Sequence, residues 1–338
     1  MSEILVTGGL GYIGSHTVTC LSEAGYDVVI IDNLSNSTLD TLDTLRELCS
    51  GHITFCEVEM CRQEELNAVF EKHPNLAGVI HFAALLQVNE SVQQPVRYYR
   101  NNLDSTLNLI DACAQFKVPS VVFSSSCTVY GQPEMIPVDE SAPIAEAESP
   151  YGSTKIMCER IFRDACEVLN LNVLSLRYFN PIGAHPSAKI GEVQHGEPHH
   201  LVPYITETAI GKREVLKVFG SDYDTRDGSC IRDYIHVMDI AEAHVAAIGN
   251  LIDGKTTGFD PINLGSGTGQ TVVEMIKAFE AATGLSVPYV LADRRPGDVE
   301  KVYANIGKAT SVLGWRPTRG LEETLKSAWV WEQSQRVN

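Results

Sequence analysis

Short apolar, β-branched runs recur along this chain, and amphipathic stretches fill the intervals between them. The runs Ile4–Thr7, Val28–Asp32, Thr54–Glu59, Val79–Ala83, Val121–Ser126, Val173–Tyr178 and Pro261–Leu264 read as strands. Helical periodicity begins near Tyr12, Arg62, Val92 and Tyr151. Strands alternating with helices predict parallel pairing through right-handed crossovers, hence an α/β chain built on a doubly wound parallel sheet. After Asn180 the texture changes. Residues 181–198 are dense in Gly, Pro and His and read as a long loop, and from about Pro288 the signals become irregular. The expected division is residues 1–180, with return segments near 236–265, as the sheet layer. Residues 181–338 would mainly form a smaller, discontinuous lobe over the C-terminal edge of the strands, where open α/β sheets bind ligands.

Composition narrows the partners. The 338 residues are 44% hydrophobic and 20% charged, values of a folded globular chain. A net charge of −17 argues against nucleic acid or an anionic membrane as the main partner. An anionic ligand would need local cations set against that field. Nine cysteines form no C-x-x-C pair, which points to free thiols in a reducing cytosol. Residues 1–3 leave no room for a signal peptide before the first strand, and no apolar run reaches membrane-spanning length.

Two motifs carry chemistry. In Thr7-Gly8-Gly9-Leu10-Gly11-Tyr12-Ile13-Gly14, glycines stand at 8, 11 and 14 between a strand and a helix start. Gly8 permits the turn, Gly11 lets backbone approach a pyrophosphate, and Gly14 lets the helix lie close on the sheet. Asp32 ends the second strand 18 residues after Gly14, where its carboxylate would accept bonds from adenosine ribose hydroxyls. No Arg or Lys falls within Asn33–Thr44 to receive a 2′-phosphate, so NAD is favoured over NADP on a Rossmann sheet. The second motif is Tyr151-Gly-Ser-Thr-Lys155 with Ser126 upstream at a strand end. Tyr151 and Lys155 are about one turn apart on one helix face. An ammonium beside the phenol would draw the Tyr pKa toward neutrality, as a general base requires.

With these motifs in place, the sequence resembles the extended short-chain dehydrogenase/reductase family, and within it the UDP-galactose (UDP-glucose) 4-epimerases. The match runs from Ile4 to about Pro317. It rests on Gly8–Gly14 with Asp32-Asn33, Val122–Gly131, Tyr151–Lys155, Arg177–His185, Val218–Gly220, Arg232–Asp239 and Arg294–Asp298. Related 4,6-dehydratases place Asp-Glu directly after the active-site hydroxyl residue, because eliminating water needs an extra acid and base. Here those positions are Cys127 and Thr128. A decarboxylase would also want a carboxylate at the second.

The resemblance implies an isomerase with NAD as cofactor. Tyr151, helped by Ser126, would take the sugar 4-OH proton while C4 gives a hydride to NAD, and Lys155 would hold the nicotinamide ribose. The transient 4-keto sugar would then turn and take the hydride back on its other face. Cofactor contacts are implied for Gly8, Gly11, Tyr12, Ile13, Gly14, Asp32, Asn33, Glu59, Met60, Phe82, Ala83, Asn101, Ser124, Tyr151, Lys155 and Tyr178. Substrate contacts are implied for Ser126, Tyr151, Asn180, His200, Leu201, Phe219, Arg232, Arg295, Asp298 and Val302. Phe219 suits the uridine, Arg232 and Arg295 the diphosphate, and Asp298 the ribose. Read singly, Phe219 is more often a core residue, and the two arginines more often surface ion pairs. A homodimer through helices Ser91–Phe116 and Tyr151–Leu169 is a further implication.

Three positions depart from the family pattern. A Lys usual after His81-Phe82-Ala83 is Leu86, the usual Asn before Leu-Val-Pro is His200, and the residue bordering the sugar is Val302, which leaves room for a 2-acetamido group. A different UDP-sugar, or a catalytically silent NAD- or UDP-sugar-binding sensor, stays open, as does an oxidoreductase that releases reduced cofactor. His195, His199 and His200 with Glu192 and Glu197 fit no zinc-ligand spacing, so no metal is expected. His16 and His81 read as structural.

Overall fold

The computed structural model describes residues 2–194, 196–198, 200–295 and 298–335. The first half runs β1 (Glu3–Thr7), α1 (Tyr12–Glu23), β2 (Asp27–Asp32), α2 (Leu39–Leu48), β3 (Ile53–Glu57), α3 (Gln63–Lys72), β4 (Leu76–His81), α4 (Val88–Gln93), α5 (Pro95–Phe116), β5 (Ser120–Ser126), α6 (Pro150–Val168) and β6 (Asn172–Tyr178). The second runs β7 (Asn180–Ile182), α7 (Leu201–Ala209), β8 (Leu216–Phe219), β9 (Ile231–His236), α8 (Val237–Ile252), β10 (Phe259–Leu264), β11 (Gly269–Thr271), α9 (Val272–Thr283), β12 (Tyr289–Ala292), β13 (Lys301–Val302), α10 (Gly307–Leu313) and α11 (Leu321–Ser334).

Seven parallel strands form the central sheet in the order β10-β6-β5-β4-β1-β2-β3. They are the seven runs read from the sequence. Each strand alternates its side chains between two buried layers, as a sheet covered on both faces requires. Ile4, Val6, Val28 and Ile30 pack with residues of α8 and α10 on one face, and Leu5, Val29, Ile31 and Val79 with residues of α3, α5 and α6 on the other. β3 and β4 stop two residues short of their expected ends. There the backbone leaves the sheet, and Glu59, Phe82 and Ala83 are free to line a cleft. Strand order reverses at β1, between β4 and β2, so a crevice opens at the C-terminal ends of those strands. α2 and α4 are helices that the periodicity did not reveal; both are short, with few buried apolar positions.

The remaining elements gather beside that crevice. β7, β9, β11 and β13 make a small sheet, β8 and β12 pair in parallel, and α7, α9 and α11 share a separate apolar core with them. α9 is set by a capping box, Thr271 with Glu274, and stopped by Gly284 in the left-handed region. The stretch read as a loop after Asn180 opens with β7, which pairs with β9 and puts Asn180 at the crevice rim.

Candidate active site

One cleft of about 790 Å³ follows the C-terminal ends of β1, β2, β4, β5 and β6. Every residue read above as a cofactor contact lines it. Gly8 has φ +65°, and a Cβ there would lie 2.9 Å from the Ala83 nitrogen. α1 begins directly after Gly11 with no side-chain cap and no acidic residue in its first turn, so its terminal N–H groups are left to a ligand anion. The Asp32 carboxylate accepts from Leu10 N (3.2 Å), Leu34 N (3.0 Å) and Ser37 Oγ (2.8 Å). It thereby fixes the glycine loop and the turn that follows β2. Asn33 donates to Glu59 across the same wall (2.9 Å). The glycine cradle, the uncapped helix start and the carboxylate at β2 together fit a dinucleotide whose ribose carries free hydroxyls.

Ser126, Tyr151 and Lys155 meet in the same cleft. Ser149 caps α6 by accepting from Gly152 N, which sets the helix start one residue before Tyr151. The expected acidification of the phenol is not what the protein's own groups produce. Burial raises the Tyr151 pKa well above its ordinary value, Cys127 adds to this, and only the Ser126 hydroxyl opposes it. Lys155 does not counter the burial. Its Nζ donates to the Ser124 carbonyl (2.6 Å) and lies 5.7 Å from the Tyr151 ring centre, and burial lowers its own pKa to about 8. Sequence spacing put the two residues on one face but could not weigh desolvation against charge.

The residues read as substrate contacts divide into two groups. Ser126, Tyr151, Asn180 and His200 line the cleft. Asn180 is held by donating to the Asp233 carbonyl (2.8 Å). Burial works to lower the His200 pKa, but Glu192, 2.7 Å away, outweighs it and raises the pKa. The second group stands beyond Cys127. The Arg295 guanidinium lies 4.6 Å from the Phe219 ring centre and donates to Asp298 (3.1 Å), and Arg232 approaches the same carboxylate at 3.8 Å. Asn180 donates to the carbonyl of Asp233, the residue after Arg232, so the two groups adjoin. Leu201 packs into the α7 core, outside the cleft lining. Val302 needs correction: it is 5% exposed and packs with Tyr130, Val138 and Phe179, one layer behind the wall where the sequence reading put it. Leu86 is 45% exposed and does line the cleft.

Sequence reasoning missed several supporting residues. Asn102 bonds both the N–H and the carbonyl of Leu85 and donates to Thr154, which donates to the Tyr151 carbonyl. Tyr178 donates to His244, which burial keeps neutral, its pKa lowered to about 4. Residues 189–193 and Trp331 also wall the cleft, with Trp331 donating to the Glu192 carbonyl (3.0 Å). Polar positions on otherwise apolar helix faces were the available signal for Asn102 and His244. Among the described residues no group of three His, Cys, Asp or Glu is placed to hold a metal, and His195 and His199 lie outside them. His16 and His81 are buried, with pKa values lowered to about 3.

Comparison with known proteins closes the question of kinship. A family model described as GDP-mannose 4,6 dehydratase matches residues 5–328. UDP-glucose 4-epimerase of Bacillus subtilis is 49% identical over 332 residues, 98% of this chain and 97% of that protein. The chain belongs to the UDP-glucose 4-epimerase family. Among solved members, the UDP-glucose-4-epimerase of Stenotrophomonas maltophila with bound NAD and formylated UDP-arabinopyranose superposes with a TM-score of 0.97. It is 39% identical, covering 100% of this chain and 99% of that one. The UDP-glucose 4-epimerase of Bifidobacterium longum in complex with NAD+ and UDP gives 0.93 at 39% identity, covering 99% of each chain. For a member of this epimerase family, Cys127 and Thr128 after Ser126 explain why the dehydratase description is broader than the chemistry: neither side chain is a carboxyl acid or base.

Proposed function

We propose that this chain interconverts UDP-hexoses that differ at C4, with NAD held as a resident cofactor. The observation that carries this reading is the placement of Ser126, Tyr151 and Lys155 in the cleft of the glycine loop, with no carboxylate at 127 or 128. Tyr151 takes the proton of the sugar 4-hydroxyl, with the Ser126 hydroxyl orienting that oxygen, and returns a proton to the 4-keto oxygen after the sugar has turned. Lys155 keeps a positive charge at the floor of the site. NAD+, when bound, supplies both the two-electron acceptor for C4 and the positive charge that the protein's own groups do not give the phenol. Gly8–Gly14, Asp32 and Asn33 would hold its adenosine and pyrophosphate. Residues 1–180 with 236–265 form the cofactor part, and 181–338 mainly the part that grips UDP through Phe219, Arg232, Arg295 and Asp298.

The same reading extends to the N-acetylated hexoses, which the UDP-Glc/GlcNAc 4-epimerase of Campylobacter jejuni, 37% identical to this chain, is named for. One experiment tests both. The purified protein is incubated with UDP-glucose, UDP-galactose and UDP-N-acetylglucosamine, and the C4 epimers are resolved. Expected are epimers of all three, NAD recovered from the denatured protein, and no steady formation of NADH. Steady NADH release would instead identify an oxidoreductase, and complete exclusion of the acetamido sugar would reject that extension.

The homodimer belongs to this proposal too. Val96 and Leu107 on α5 and Met157 on α6 are large apolar side chains left more than 40% exposed, a stripe suited to burial against a second copy. Sedimentation should give twice the chain mass, and a monomer at micromolar concentration would rule the dimer out. No helix among the described residues is long and apolar enough to cross a membrane. Nine free cysteines suit a reducing compartment such as the cytoplasm.

A further inference from the structure

Beneath the catalytic helix lies a buried polar network that the chemistry above does not use. Glu159 sits one turn after Lys155 on the same face of α6 and is 1% exposed. One carboxylate oxygen accepts from Ser125 Oγ (2.7 Å), Ser175 Oγ (2.9 Å) and Arg177 Nε (2.9 Å), and the other from Arg177 Nη2 (2.6 Å). Arg177, equally buried, donates Nη1 to the Tyr130 hydroxyl (2.8 Å), which donates to Asn263 (2.7 Å). A single carboxylate thus ties α6 to β5 and β6, and its partner carries the tie on to β10. Buried ion pairs are seldom better stabilisers than apolar residues of equal volume. The carboxylate of this pair stands one turn along α6 from Lys155, on the face that also carries Tyr151.

We propose that Glu159, held by Arg177, is a positioning residue for Tyr151 and Lys155: it fixes the rotation of α6 on the sheet and sets a negative charge one turn below the Lys155 ammonium. The inference rests on the functional reading above. The titratable groups around Lys155 are Tyr151, Cys158 and Glu159 on α6, His81 on β4, and Tyr178 and Arg177 on β6. His81 is neutral, and burial keeps the phenols and the thiol protonated. Burial would raise the Glu159 pKa, but Arg177 outweighs it and holds the carboxylate ionised. Glu159 is therefore the anion of this set. Burial lowers the Lys155 pKa to about 8, and the Glu159 carboxylate works against that lowering. The sign follows. Losing Glu159 removes a carboxylate that favours the ammonium, so Lys155 gives up its proton at lower pH.

The test compares Glu159→Gln, Glu159→Asp and Arg177→Lys as NAD-bound proteins. Glu159→Gln is expected to lower kcat about 100-fold, the scale of an ångström-sized misplacement, with KM little changed. It should also move the basic limb of the kcat profile down by about one pH unit. Glu159→Asp and Arg177→Lys keep the charges but not the geometry, so kcat falls while the limb stays in place. A role in stability alone predicts a lower Tm with kcat per bound NAD and the limb both unchanged, and that result overturns the proposal. Should Glu159→Gln not fold, the double variant Glu159→Gln/Arg177→Met removes both charges together, the change buried pairs tolerate best. Wild-type kcat in that folded variant also overturns it. The limb can be read without turnover, from the pH dependence of Lys155 acylation followed by peptide mass. A wild-type protein with no turnover then rejects the functional reading, and a limb unmoved by Glu159→Gln rejects this one.

Discussion

Replacing Tyr151 by Phe is expected to cut epimerisation about 1,000-fold or more, the upper part of the range for removing a positioned acid–base group. The loss should fall on kcat. Phe keeps the ring volume, and the wall around Tyr151 is made by residues that do not depend on its hydroxyl: Ser124 and Lys155 meet through a backbone carbonyl, and Tyr178 is anchored to His244. NAD should therefore be recovered from the variant in the same proportion as from the parent. Epimerisation at the parental rate would mean that the proton leaves by another route.

Gly14→Ala should remove the cofactor and much of the stability with it. A Cβ on Gly14 would fall inside van der Waals contact of the Gly8 carbonyl oxygen and 2.9 Å from the Gly9 Cα. Both neighbours are backbone, so neither can swing aside as a side chain would. Relief requires α1 to withdraw from the sheet, and α1 packs closely against α8. Overpacking of this kind costs about 1–3 kcal/mol, and the stabilisation that bound NAD confers is lost in addition. The expected result is protein that purifies without NAD and melts several degrees lower. Full NAD content in Gly14→Ala would show that the loop does not hold the pyrophosphate.

How much of this site was legible beforehand depends on the range over which each feature is encoded. The glycine loop, Asp32 and the Tyr151–Lys155 spacing are local, and each sits within one strand–helix unit whose geometry the chain fixes by itself. Val302 was misjudged because its neighbours, Val138 and Phe179, come from distant segments. Glu159 went unremarked because a single carboxylate in a helical pattern looks like a solvated position until Arg177, eighteen residues on, is folded against it. Asn102 and Trp331 are of the same kind.

From sequence alone came the seven strands, their parallel pairing, the glycine loop and the residues Ser126, Tyr151 and Lys155 that we assign to proton transfer. Those rest on periodicity and on backbone conformations available to glycine, which are properties of short segments. Tertiary structure decided which residues share one cleft, that Tyr151 stays protonated among protein groups, and that Lys155 has its charge weakened by burial. Desolvation is the reason: it depends on everything that surrounds a group, and no window along the chain contains that surrounding.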